Sequence, residues 1–169
     1  LYAVKCNPNP HMLDVLFAAG IRHFDTASLA EVAQVSEQLP EGTSYFMHPV
    51  KSRAAIRSAY QVYGLSHYVV DHASELEKIA QIIPPGPGTV IVVRLAIHYE
   101  GAVYELSSKF GAPVPEAIAL AKDALSRGYR YGLCFHVGSQ CLDAGGFRVG
   151  LDLVGEAIAG IGAGPSCVD

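Results

Sequence analysis

Thr89-Val90-Ile91-Val92-Val93-Arg94-Leu95 is the stretch on which the fold turns. Its four consecutive β-branched residues, Val90 to Val93, show no alternation of apolar and polar faces. A strand of that kind is buried on both sides, as strands of parallel sheets are. Parallel neighbours require a crossover, usually a helix, so short β-rich runs should alternate with helical patterns on either side. Upstream, Pro84-Pro85-Gly86-Pro87 breaks the chain. Before that break, 67–70 reads as a strand, and Ser74 with Glu77 reads as a capping box ahead of Ile79 and Ile82. Downstream, 115–127 reads as an amphipathic helix with Ile118, Ala121 and Leu125 inward and Gly128 as its stop. The run 131–136 follows as a strand.

The same alternation extends to both ends. An opening strand ends at Lys5; Asn9 then offers an N-cap with Pro10 in the first helical position, and Leu13, Leu16 and Phe17 recur at helical spacing up to Gly20. Strand 21–25 precedes a capping box of Ser28 and Glu31, whose helix carries Leu29, Val32, Ala33 and Leu39. Strand 44–47 precedes a helix over 52–63. A helix over 147–161 and a strand starting near Ser166 complete the order. The stretch 96–112 has no periodicity, and a loop that long in a compact domain is usually functional.

About six βα units and the opening of a seventh strand fit either an open doubly wound sheet or most of a (β/α) barrel. Polar or ionisable residues end strand after strand: Lys5, Asp25, His48, Asp71, Arg94 and His136. A barrel gathers its site from many strand ends, whereas an open sheet concentrates it at one switch point. The expected fold is therefore an α/β, (β/α)8 TIM-like barrel. A whole barrel takes about 250 residues, so the 169 here are expected to form an incomplete fragment. The opening inside an apolar run at Leu1 and the close in Ser166-Cys167-Val168-Asp169 lead to the same expectation, an internal piece of a longer protein.

Composition narrows the function classes. Twelve basic against 16 acidic side chains, for a net charge of −4, provide no basic stripe for nucleic acid. No apolar run approaches the roughly 18 residues of a membrane span. Half the residues are hydrophobic and 17% charged, which excludes intrinsic disorder. Cys6, Cys134, Cys141 and Cys167 lie far apart without a C-x-x-C pair; they read as reduced thiols, and the expected location is cytoplasmic. No metal is expected, since no second histidine or carboxylate stands at ligand spacing from His136.

Two places carry chemistry. In Tyr2-Ala3-Val4-Lys5-Cys6-Asn7 a lysine stands where a strand runs into a loop. Facing a partly desolvated pocket, it would be nucleophilic towards aldehydes; it is equally an ordinary strand-end lysine reaching solvent. In Phe135-His136-Val137-Gly138-Ser139 the histidine could be a base, a metal ligand, a surface for stacking or a satisfied core side chain. The Gly-Ser that follows offers N–H groups and a hydroxyl to an anion.

Together, Y-A-V-K-C-N, F-D-T-A-S-x-x-E, S-S-K-F-G-A and F-H-V-G-S-Q, in that order over nearly the whole chain, resemble one family closely. It is the pyridoxal-phosphate (PLP) dependent decarboxylases with an alanine-racemase-like barrel, which act on ornithine, lysine, arginine or diaminopimelate. The wording is most similar to the ornithine/lysine branch. The resemblance implies a partial PLP-binding barrel domain over 1–169, a β-rich C-terminal domain beyond it, and decarboxylation of ornithine or lysine to a diamine in polyamine biosynthesis. Lys5 would form the Schiff base with PLP and help protonate the product. Asp25 would lie near that lysine, Arg94 in the polar network around the ring, His136 flat on the ring, and Ser139 at the phosphate. Lys109 would reach across a homodimer interface. Glu31 is explained already by its capping box, and His48 and Asp71 read as scaffold or surface. Tyr99, Tyr104 and Glu105 lie where the family shapes its substrate pocket.

The family's glycine-rich phosphate loop would begin immediately after Asp169. The carboxylate facing the pyridine nitrogen, the proton-donor cysteine and the acids reading the substrate's distal amine would lie beyond it, and these 169 residues alone are expected to be inactive. A diaminopimelate decarboxylase, a racemase of the same barrel, and a catalytically silent homologue that binds a regulatory partner are the competing readings.

Overall fold

Six strands run parallel in one sheet: β1 (Tyr2–Ala3), β2 (His23–Thr26), β3 (Thr43–Phe46), β4 (His67–Val70), β5 (Val90–Leu95) and β7 (Arg130–Phe135), neighbours in that order. The structure is a computed structural model, and it describes residues 1–99, 102–104 and 109–169. Between the strands lie α1 (Pro10–Ala18), α2 (Leu29–Gln38), α3 (Arg53–Gln61), α4 (Ala73–Ala80) and α5 (Val114–Ser126), with α6 (Gly145–Ile161) after β7. A short antiparallel ribbon of β6 (Ala102–Tyr104) and β8 (Ser139–Cys141) stands apart from the sheet.

The segment after α6 begins a seventh parallel position. Leu133 bridges Val168 in parallel, with Leu133 N–H donating to the Cys167 carbonyl at 3.0 Å and Asp169 N–H to the Leu133 carbonyl at 3.1 Å. Phe135 N–H donates to the Asp169 carbonyl at 3.0 Å, and the residues that follow β1 and β7 line one cavity, so the sheet is curled. This is the incomplete (β/α) barrel that the strand-end pattern implies.

Period-2 alternation divides the strand residues between the two faces of the sheet, with Phe24 of β2 in a smaller helix-side cluster beside Leu13, Val35 and Leu39. Phe46, Tyr68, Val70, Ile91, Val93, Leu95, Tyr131 and Leu133 pack with the helices in the larger core. Val69, Val90, Val92 and Cys134, joined by Met47 and Cys167, form a cluster of strand residues alone inside the curl. The run Val90–Val93 is buried at every position because its two faces feed different cores.

Local signals account for most helix starts. Asn9 Oδ1 accepts from His11 N–H at 2.9 Å with Pro10 first in the helix. Ser28 and Ser52 cap α2 and α3 from their hydroxyls. Three expectations need correction. The cap of α4 is His72, whose Nδ1 accepts from Ser74 N–H at 3.1 Å, so Ser74 lies inside the helix. An imidazole nitrogen two residues upstream does what the serine hydroxyl was expected to do. On α5 the buried stripe is Val114, Ala117, Leu120, Ala121 and Ala124, while Leu125 is 37% exposed. Small alanines let the helix sit close to the sheet, and Ile118 is taken by α6 at Gly160. The first strand stops at Ala3, and Val4–Cys6 form a single 3-10 turn. Within 96–112, residues 102–104 pair with β8, an element without enough length to show a period.

Candidate active site

Lys5 stands on the turn that follows β1. Val4, fully buried, anchors that turn, and Asn7 N–H closes it on the Val4 carbonyl at 3.1 Å. The anchor points inward and the next side chain outward, so Lys5 is exposed at the C-terminal edge of the sheet. Of the two settings the sequence left open, the exposed strand-end lysine is the one observed, and it borders the cavity described next.

Asp25 in β2 registers with Ala3 of β1, and Arg94 in β5 registers with Cys134 of β7. His136 follows β7 directly. These four side chains, from the ends of four strands, line a single cavity of about 90 Å³ together with Ala27, Met47, His48, Pro49 and Phe110. A larger hollow of about 520 Å³ lies on the helical side, with Asp71, His72, Glu116 and Asp123 in its wall. It holds no lysine or arginine and none of the strand-end cations, so the chemistry gathers in the smaller one.

The electrostatics are mutual. Burial pushes the Asp25 carboxyl above its ordinary value; Lys5 and Arg94 pull it back, while Asp169 and Glu31 push it further up. Burial pushes His136 below the ordinary histidine value, and the positive charges of Arg94 and Lys5 push it the same way. His136 is therefore neutral at neutral pH. Its Nδ1 accepts from Gly138 N–H at 3.0 Å, which leaves the ring proton on Nε2. The result is a flat, uncharged ring between two cations and a carboxylate.

The remaining expected residues fall elsewhere. Ser139 is exposed at the start of β8 and does not line the cavity. Glu31 closes its capping box: Ser28 Oγ accepts from Glu31 N–H at 3.2 Å, and Glu31 Oε2 accepts from Ala27 N–H at 2.7 Å. Lys109 is exposed. Tyr99 donates to Asp143 Oδ1 at 2.5 Å; Tyr104 is in β6, and Glu105 lies outside the described residues. Cys134 is buried against the sheet interior, which pushes its thiol up, and Cys6 is exposed. His48, assigned to scaffold or surface from sequence, lines the cavity, with Nδ1 accepting from Val50 N–H at 3.1 Å. Phe110 also lines it. The signals were present, in a strand-terminal histidine and the Lys-Phe-Gly run.

Lysine, arginine, carboxylate and a flat imidazole around one cavity suit an aldehyde-bearing aromatic ring with an anionic tail. The cofactor that the motifs imply therefore fits the residues present.

Comparison with known proteins agrees. Residues 1–161 match the family model described as pyridoxal-dependent decarboxylase, pyridoxal binding domain. A lysine/ornithine decarboxylase of Selenomonas ruminantium is 37% identical over 152 residues, covering 89% of this chain and 37% of that protein. The crystal structure of lysine decarboxylase from the same organism superposes with a TM-score of 0.84 at 32% identity, covering 100% of this chain and 44% of that one. Lysine/ornithine decarboxylase from Vibrio vulnificus, complexed with cadaverine, gives 0.82 at 28% identity over 99% of this chain and 44% of that one. The chain spans about a third of the length of the curated relatives it matches. It belongs to the pyridoxal-dependent decarboxylases, whose pyridoxal-binding domain residues 1–161 match.

Proposed function

We propose that the protein carrying this domain decarboxylates a basic amino acid, lysine or ornithine, to the corresponding diamine, with pyridoxal phosphate held in the cavity of Lys5, Asp25, Arg94 and His136. The observation that carries this reading is the convergence of those four side chains from four separate strand ends. When bound, the cofactor supplies an electron sink for the pair left on the α-carbon as CO₂ departs. The chain's own residues do the rest. Lys5 would hold the cofactor through its amine, and the same amine would move a proton at the α-carbon. Asp25 sets its carboxyl in the cavity wall with that amine. The neutral ring of His136 offers a flat face for stacking, and Arg94 contributes fixed positive charge at the rim. Ser139, outside the cavity lining at the start of β8, is the residue the motif would bring to the phosphate.

Lysine and ornithine are preferred as substrates because most of the relatives that share 31–37% identity over most of this chain are named for one or both of them. A β-rich second domain, a homodimer with Lys109 at its interface, a cytoplasmic location and a place in polyamine synthesis belong to the same reading. Assay of the full-length protein against lysine, ornithine, arginine and diaminopimelate tests it. CO₂ release from lysine or ornithine, at least tenfold above the other two in kcat/KM, is expected; release from diaminopimelate alone, or from none, sinks it.

A further inference from the structure

Phe110 has no part in the roles above, yet it sits among the groups that do. Its ring lies 5.3 Å from the Arg94 guanidinium carbon and meets the His48 ring edge-on at 5.8 Å and 76°. The backbone that delivers it is held at three points. Ala112 N–H donates to the Arg94 carbonyl at 2.8 Å, and Ala96 N–H donates to the Ala112 carbonyl at 2.9 Å. Gly111 N–H donates to Asp71 Oδ2 at 3.0 Å. Gly111 has φ +99°, and a Cβ there would stand 2.6 Å from the Ala96 nitrogen, so glycine alone permits the approach. Asp71, which follows β4, thus reaches across to the loop after β5 and fixes the residue next to the ring.

We propose that Phe110 is a positioning residue for the cavity: its ring holds the Arg94 guanidinium and the His48 imidazole in place, and Asp71 sets the ring through Gly111. An arginine side chain is rich in rotamers, and a ring against its guanidinium removes that freedom before any ligand arrives. His48 is fixed from two sides, by the ring and by Val50 N–H on Nδ1. The proposal rests on the cavity being the pyridoxal phosphate site, but the contacts themselves exist without the cofactor.

The test uses the full-length protein with Phe110→Leu, Phe110→Tyr, Asp71→Ala and Asp71→Asn, freed of cofactor. Phenylglyoxal labelling of Arg94, followed by peptide mass spectrometry, reads the freedom of the guanidinium; Arg127, held by Asp123 and Glu77, is the internal control. Labelling of Arg94 is expected to speed up about fivefold to tenfold in Phe110→Leu and Asp71→Ala. It should stay within about twofold of wild type in Phe110→Tyr and Asp71→Asn, where the ring and the acceptor oxygen persist. The dissociation constant for pyridoxal phosphate, from fluorescence titration, should rise in step with the labelling rate. Unchanged Arg94 labelling in Phe110→Leu and Asp71→Ala overturns the proposal. So does a rise shared equally by Arg127, which would mean general loosening. If wild type binds no pyridoxal phosphate while Arg94 labelling follows the expected order, the positioning role stands and the cofactor reading falls.

Discussion

Lys5 and His136 are adjacent in the site and opposite in what their surroundings do to them. Lys5 is exposed, so its amine is available without any opening of the structure. Lys5→Ala in the full-length protein should abolish the near-visible absorbance that lysine-bound pyridoxal phosphate gives, and lower turnover by about a thousandfold or more. An absorbance scan on cofactor addition checks the first part. His136 is half-buried and pushed below the ordinary histidine value by burial, Arg94 and Lys5. Removing one of those charges with Arg94→Gln should raise its titration midpoint, which NMR of the labelled imidazole measures directly. The linkage has a definite sign. The neutral ring's contribution to stability is complete above about pH 6.5, the unfolded value, and is lost as pH falls through the lower native one. If the ring serves as a stacking surface, His136→Phe should retain cofactor affinity within a fewfold of wild type, and His136→Ala should lose about tenfold. Equal losses would point to a proton or hydrogen-bond role instead.

At the scale of elements, the loop after β3 is held by a buried charge cluster. Lys51 Nζ donates to the Val69 carbonyl at 2.6 Å and the His48 carbonyl at 3.0 Å, and pairs with Glu75 Oε1 at 3.1 Å. Burial pushes the Lys51 ammonium down to about 8, against the pull of Glu75. Glu75 also pairs with Lys78, so it keeps one cation if Lys51 is lost. Glu75→Gln removes the only carboxylate in salt-bridge contact with Lys51 among the described residues and should cost about 3–5 kcal/mol. Lys51→Met should cost less, because an apolar chain of similar length replaces the charge and its desolvation. Urea unfolding of both variants checks the order; a larger loss in Lys51→Met would mean that the carbonyl contacts, not the charge balance, hold the loop. This cluster places His48 and Pro49 in the cavity wall, so the element matters to the site without contributing a reacting group.

For the molecule as a whole, the outer surface of α6 is informative. Phe147 is 52% and Leu151 58% exposed, one turn apart, with Leu142 80% exposed before the helix. Apolar side chains grouped in this way favour association when nothing covers them. Residues 1–169 expressed alone should therefore self-associate, and Phe147→Glu with Leu151→Lys should shift the elution volume towards monomer. Size-exclusion chromatography at two concentrations reads both; a monodisperse wild-type segment would show that the stripe is tolerated.

Much of this was legible in the chain itself. Burial on both faces is written in Val90–Val93, helix starts in Asn9-Pro10, Ser28 and Ser52, and the cofactor family in four motifs, because each depends on residues close together in sequence. Lys5, Asp25, Arg94 and His136 could be listed among the strand-end residues, and it was the motifs, not periodicity, that singled them out for the cofactor. What depends on distant partners could not be read. The alanine stripe of α5, the β6–β8 ribbon and the entry of His48 and Phe110 into the site are settled by contacts between segments tens of residues apart, whereas the His72 cap is local and was missed because a serine hydroxyl is the commoner cap. Asp71 on Gly111 is the clearest instance: a carboxylate after one strand and an N–H after the next meet only because the sheet sets β4 and β5 side by side.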